Sequence, residues 1–169
     1  MGGSAKWKGG ALAPGGKIYC APFNKDRVLI IDASVGSAGD ASSVETDSIT
    51  GLAGGEKWSG AALAPNGKIY GVPYHSESVL IIDPVAGTTD TATMAGLAGN
   101  GKWVGGVLAP NGKIYGVPYS STSVLIVDPV AGTTDTTTLG GLTGSSKWMG
   151  GALAPNGKIY GVPFSSQSV

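Results

Sequence analysis

Tryptophan stands at positions 7, 58, 103 and 148, and each time it opens the same stretch of chain. The clearest copy is Lys102-Trp103-Val104-Gly105-Gly106-Val107-Leu108-Ala109-Pro110-Asn111-Gly112-Lys113-Ile114-Tyr115-Gly116-Val117-Pro118-Tyr119, and the four copies begin at Lys6, Lys57, Lys102 and Lys147. A second stretch, Ser123-Val124-Leu125-Ile126-Val127-Asp128-Pro129 with a Thr/Gly-rich tail ending in Gly-Leu, has counterparts after the first three copies. The fourth copy reaches Val169 where its second stretch would begin. The last two Trp intervals are 45 residues and the first is 51. A period near 45 built of short strands is the pattern of propeller blades. One such unit cannot bury two apolar faces alone, so it folds by stacking on its neighbours.

The period divides one domain, 1–169, into repeats 6–56, 57–101, 102–146 and a truncated 147–169. Each full repeat parses into four strands. Strand A is Trp103 to Ala109, small and Gly-rich, and Pro110-Asn111-Gly112 then supplies the Asn-Gly hairpin signal. Strand B is Lys113 to Tyr119. The turn Ser120-Ser121-Thr122 leads to strand C, Val124 to Asp128, and Pro129 ends it for want of a ladder donor. Strand D is placed at Asp135 to Leu142, Thr-rich and weakened by Gly140-Gly141, as suits an outer edge. The apolar runs are short, β-branched and bounded by Gly, Pro and Asn, which favours strand over helix throughout. Repeats two and three differ mainly at Ser59/Val104, His75/Ser120 and Glu77/Thr122. Repeat one carries Asn24-Lys25-Asp26-Arg27 where the others have Ser-rich loops, and about six extra residues within Ala33 to Thr50.

The strands differ in composition as radial blades require. Gly105, Gly106 and Ala109 suit an innermost strand crowded at an axis. Strand C, Val124-Leu125-Ile126-Val127, is apolar on both faces, as expected of a sheet packed between two others. The expected fold is therefore an all-β propeller with three full blades and one half blade per chain.

At Pro110-Asn111-Gly112-Lys113-Ile114-Tyr115 and Ser123-Val124-Leu125-Ile126-Val127-Asp128-Pro129 the chain resembles propeller repeats of the YVTN and NHL type, and more loosely WD40 repeats. The shared marks are the Pro-Asn-Gly hairpin, the strand B tyrosine and a strand C ending in Asp. The Gly-Val-Pro-Tyr of strand B departs from all three patterns. The resemblance implies a binding scaffold from families that mostly have six to eight blades. The near-identity of repeats two to four resembles recent blade amplification or a designed symmetric propeller.

Composition narrows the partners. Eleven basic and eleven acidic residues cancel, so no general field draws nucleic acid or an anionic membrane. No apolar run approaches the roughly 18 residues of a transmembrane helix. Met1-Gly2-Gly3-Ser4-Ala5 lacks a secretory leader and reads as a flexible linker. Cys20 is the single cysteine and replaces Gly71, Gly116 and Gly161 of the other copies, which reads as a small buried hydrophobe.

Few residues offer chemistry. Trp7, Trp58, Trp103 and Trp148 each follow a lysine, and Lys57, Lys102 and Lys147 with Tyr74 and Tyr119 complete the candidate ligand-binding set. Indole beside polar groups suits sugar stacking, and lysine suits an anion; the competing reading makes each Trp an anchor between blades. Asp32, Asp83 and Asp128, with Asp90 and Asp135, recur one or two per blade, which suits turn capping better than a calcium cluster. His75 is the one histidine, too few for a histidine metal site, and no carboxylate-oriented base accompanies Ser76 or Ser78. The expectation is no metal, no cofactor and no enzymatic role. The chain reads as a structural or binding scaffold, with a carbohydrate-binding lectin of one site per blade as the alternative. Its expected partner is a second copy, the homodimer closing an eight-blade ring in which two blades lack strands C and D; glycans are the other expected partner.

Overall fold

The structure, a computed structural model, describes residues 5–33, 44–45 and 49–167. Its strands form separate antiparallel sheets in chain order. Blade 1 holds β1 (Trp7–Leu12), β2 (Lys17–Pro22), β3 (Leu29–Asp32) and β4 (Val44–Glu45). Blade 2 holds β5 (Trp58–Leu63), β6 (Ile69–Pro73), β7 (Leu80–Asp83) and β8 (Thr88–Asp90). Blade 3 repeats this with β9 (Trp103–Leu108), β10 (Ile114–Pro118), β11 (Leu125–Asp128) and β12 (Thr133–Asp135). Blade 4 has the pair β13 (Trp148–Leu153) and β14 (Ile159–Pro163). Each four-stranded sheet is a meander, neighbours in sequence being neighbours in space. Among the described residues there is no helix, so none long and apolar enough to cross a membrane.

Local chemistry explains the hairpins. In blade 2 the Asn66 side-chain oxygen accepts the Lys68 amide at 3.1 Å, while its amide donates to the Tyr70 hydroxyl at 2.9 Å. Gly67 takes φ +79°, which a residue with a Cβ adopts only at a cost. The first strands of adjacent blades lie against one another, backbone to backbone. A Cβ on Gly60 would fall 2.6 Å from the Cα of Gly105, so that crowded approach requires glycine.

In blade 3, strands A, B and C fall within one residue of their expected bounds, and strand D does not. Strand D is Thr133–Asp135 rather than Asp135 to Leu142. The Asp135 carboxylate accepts the amides of Thr137 and Thr138 and turns the chain away from the sheet. Of the insertion in repeat one, residues 34–43 and 46–48 lie outside the described residues; β4 pairs with β3 through Glu45 opposite Ile30.

Period-two alternation gives every blade a front and a back face. On blade 1 the front face, Tyr19, Ala21, Val28 and Ile30, packs on the back face of blade 2, Trp58, Ile69, Leu80 and Ile82. The front face of blade 2, Tyr70, Val72, Val79 and Ile81, packs likewise on Trp103, Ile114, Leu125 and Val127 of blade 3. The core is thus a series of equivalent joints, each filled from two sheets.

Candidate functional site

The Lys-Trp pairs sit where each blade receives the chain from its predecessor. Trp58 and Trp103 are each 3% exposed, and their indole N–H groups donate to the Ser78 and Ser123 carbonyls at 2.8 and 2.7 Å. Trp7 is half-buried and donates to the Arg27 carbonyl at 3.0 Å. These indoles therefore tie strand A to the start of strand C of their own blade, and Trp58 and Trp103 also pack on the blade before. Trp148 is half-buried too, and its ring lies over Gly161, the place Leu80 and Leu125 take over Gly71 and Gly116 in the full blades.

The lysines act between blades. The Lys57 ammonium donates to the carbonyls of Phe23 (3.3 Å), Lys25 (2.8 Å) and Gly54 (2.6 Å). Lys102 repeats this on Tyr74 (3.2 Å), Ser76 (2.9 Å) and Gly99 (2.6 Å), and Lys147 on Ser121 and Gly144, both at 2.8 Å. All three side chains are buried. Burial holds each ammonium below the ordinary lysine value, Lys102 at about 8, with Glu77 opposing the shift. The sequence marked these lysines for an anion; the structure turns them onto peptide oxygens.

Tyr74 and Tyr119 belong to a row the sequence reading named only in part. Phe23, Tyr74, Tyr119 and Phe164 fill the same register position in four blades, with successive ring centroids 5.6, 5.8 and 6.1 Å apart. The Lys8 ammonium rests 3.8 Å from the Phe23 centroid, and His75 stacks on Tyr74 at 4.7 Å. Burial pushes the Tyr74 phenol up. The missed signal is the residue after the proline that ends strand B, at Pro22, Pro73, Pro118 and Pro163, aromatic in all four repeats.

Two hollows open over the Lys-Trp pairs. One, of about 370 Å³, lies between Gly51–Gly55 and His75–Ser78 and is floored by Lys57 and Trp58. The other, of about 330 Å³, lies at Gly96–Asn100 and Ser120–Ser123 over Lys102 and Trp103. Their walls mix apolar side chains, Leu52 and Ala53 in one and Leu97 and Ala98 in the other, with hydroxyls: Ser76 and Ser121, both half-buried, and Thr91 and Thr136. A third, apolar hollow of about 740 Å³ lies between the blade 3 front face, with Val117, Val124 and Leu142, and Trp148 and Ile159 of blade 4. The aspartates serve their own turns: Asp83 accepts the Val85 and Ala86 amides and pairs with Lys68 at 3.1 Å, and Asp128 does the same with Val130, Ala131 and Lys113.

No family model matches the sequence, and no curated protein matches it. Solved structures do. Hydrazine synthase of Kuenenia stuttgartiensis aligns over 100% of this chain and 47% of its own length, with TM-score 0.65 and 14% identity. Virginiamycin B lyase from Staphylococcus aureus aligns over 96% and 50%, with TM-score 0.68 and 10% identity. An auxiliary nutrient binding protein from Bacteroides ovatus aligns over 92% and 36%, with TM-score 0.58 and 13% identity. The chain spans about half the length of the first structures it matches. These likenesses show the β-propeller fold, without a finer repeat family. They also correct the expectation of no enzymatic role. Virginiamycin B lyase and a glutaminyl cyclase from Myxococcus xanthus share the architecture, so the fold carries no argument against catalysis.

Proposed function

We propose that the chain is a multivalent carbohydrate-binding module with a small loop-lined hollow over the Lys-Trp pair of blades 2 and 3. The observation that supports it is the recurrence of the hollow, at Lys57-Trp58 and again 45 residues on at Lys102-Trp103. Both lie at the low end of the roughly 300–1,000 Å³ of small-molecule sites, a size for one sugar ring. Their chemistry favours a neutral polyol. The lysine charge is buried against carbonyls, while Ser76, Ser121, Thr91 and Thr136 leave hydroxyls at the rim. The indole is floor rather than stacking platform, so contact is made with its edge and with the loops.

A labelled chain on a glycan array should pick out one sugar type. Calorimetric titration with that sugar should give at least two equal sites per chain. Thr136→Arg, which fills the mouth of the blade 3 hollow, should remove one site and leave the other unchanged. A blank array, or a stoichiometry that Thr136→Arg does not alter, overturns the reading.

A further inference from the structure

We propose that two copies of this chain pair around the propeller axis, the front face of blade 4 in each copy docking on the back face of blade 1 in the other. The inference is independent of the sugar reading and rests on the interblade joint, which the molecule displays internally. In that joint Val72 of blade 2 fits over Gly106 and Gly116 of blade 3, and Ala21 of blade 1 lies over Gly71 of blade 2. Blade 4 carries the same front face, yet Tyr160, Val162 and Phe164 are exposed. Blade 1 carries the same back face, and Ile18, Cys20, Leu29 and Ile31 are only half-buried, whereas Ile69, Leu80 and Ile82 of blade 2 are fully buried. The exposed face of blade 4 and the partly covered face of blade 1 are the two halves of one joint.

The occupant follows from complementarity and charge. One chain carries both halves of the joint, so a second copy offers each face the surface it fits. A two-fold axis along the channel makes both joints alike and leaves neither face open. The formal net charge is zero, so two copies approach without long-range repulsion. In the docked pair Val162 of one copy takes the place of Val72, and Cys20 of the other takes the place of Gly116. The extra Cys20 side chain makes this joint tighter than the internal ones, so the pair should separate on dilution.

That register gives a chemical test. The internal counterpart, an added Cβ on Gly71 against the Ala21 Cβ, spans 3.5 Å. This is within the roughly 3.5–4.5 Å of a disulfide's Cβ atoms. Val162→Cys should therefore form a disulfide with Cys20 of the other copy when diamide takes two electrons and two protons from the thiol pair. The expected result is a covalent dimer on a non-reducing gel, with both thiols of each chain consumed, and a wild-type dimer by sedimentation equilibrium at tens of micromolar. Val85→Cys, 98% exposed on an outer turn, is the collision control and should stay monomeric. An intrachain disulfide in a monomer shows that blade 4 closes on blade 1 of its own chain and overturns the proposal. So does a monomer with free thiols, a ladder of open oligomers, or equal cross-linking of Val85→Cys.

Discussion

Val72 and Val162 stand in the same register of strands with the same sequence, Lys-Ile-Tyr-Gly-Val-Pro, yet one is 1% exposed and the other 54%. Tyr70 and Tyr160 repeat the contrast at 3% and 42%. Local sequence sets the strand, the pleat and the side chain; it does not set burial. Burial comes from the next blade, and among the described residues none packs on the front side of blade 4. A repeat protein of this kind derives its stability from joints as much as from units.

The contrast is broken most directly by truncating the same residue in two blades. Leu80→Ala removes a fully buried side chain at an internal joint and should lower stability by about 2–5 kcal/mol. Leu29→Ala removes its half-buried counterpart and should cost less in denaturant unfolding of dilute protein. If copies pair, the cost at Leu29 should rise with protein concentration while that at Leu80 stays fixed. Equal costs at high dilution would mean the blade 1 back face is already covered.

The glycines on the axis give the next largest effect. Gly60 combines φ +102° with a neighbouring backbone 2.6 Å from an added Cβ; Gly150 has φ +125° and open space. Gly60→Ala should cost about 1–3 kcal/mol from overpacking, beyond the left-handed penalty of about 1–2 kcal/mol that both variants share. Thermal melts of the two variants separate crowding from backbone strain, and matching melting temperatures would show that the inner strands yield freely.

How far the sequence speaks follows the same division. Strands A, B and C were legible because Asn66-Gly67 and its copies mark the hairpin, and the apolar run through Leu80 demands two covered faces. Strand D was misplaced, since Thr-Thr-Asp-Thr-Thr carries equal propensity on both sides of Asp135 and only that residue's capping decides. The aromatic row was half seen: Tyr74 and Tyr119 were named, while Phe23 and Phe164 lack the hydroxyl that drew attention. The fate of the lysines was not legible at all. Nothing in Lys-Trp says that the ammonium will meet three carbonyls from loops 3 to 28 residues away, as Lys102 does.

That cage makes a smaller, graded comparison. Lys102→Met strips a donor from the carbonyls of Tyr74, Ser76 and Gly99 and should cost about 1–3 kcal/mol, the usual penalty of buried groups left unpaired. Lys147→Met frees Ser121 and Gly144 at a joint already thinner on its outer side, and should cost less by the same chemical denaturation. A larger loss at Lys147 would mean that the last joint depends on its latch more than the internal ones do.

The smallest expected effect lies in acid, and it reverses the ranking of the blades. In blades 2 and 3 the C–D turns are held by carboxylates. The Ala86 amide, then Lys68, keeps Asp83 below its ordinary 3.8, and the Ala131 amide, then Lys113, does so for Asp128. A carboxyl whose value is lower folded than unfolded adds stability that is complete above its unfolded value and lost as pH falls through the folded one. These turns should therefore hold from neutral pH to about 4.5 and loosen below 3.8. Both groups are exposed, so the loss is modest and shrinks in salt. The hairpin of blade 4 is held by Asn156, whose oxygen accepts the Lys158 amide at 3.0 Å and does not titrate in this range. Hydrogen exchange at pH 3 should thus speed at Val130 and Ala131 relative to pH 5, after correction for intrinsic rates, and not at Lys158. Asp128→Asn should abolish the acid-dependent part at Val130 and Ala131. An equal acid response at Lys158 would place the titration elsewhere and remove the carboxylate turns as its cause.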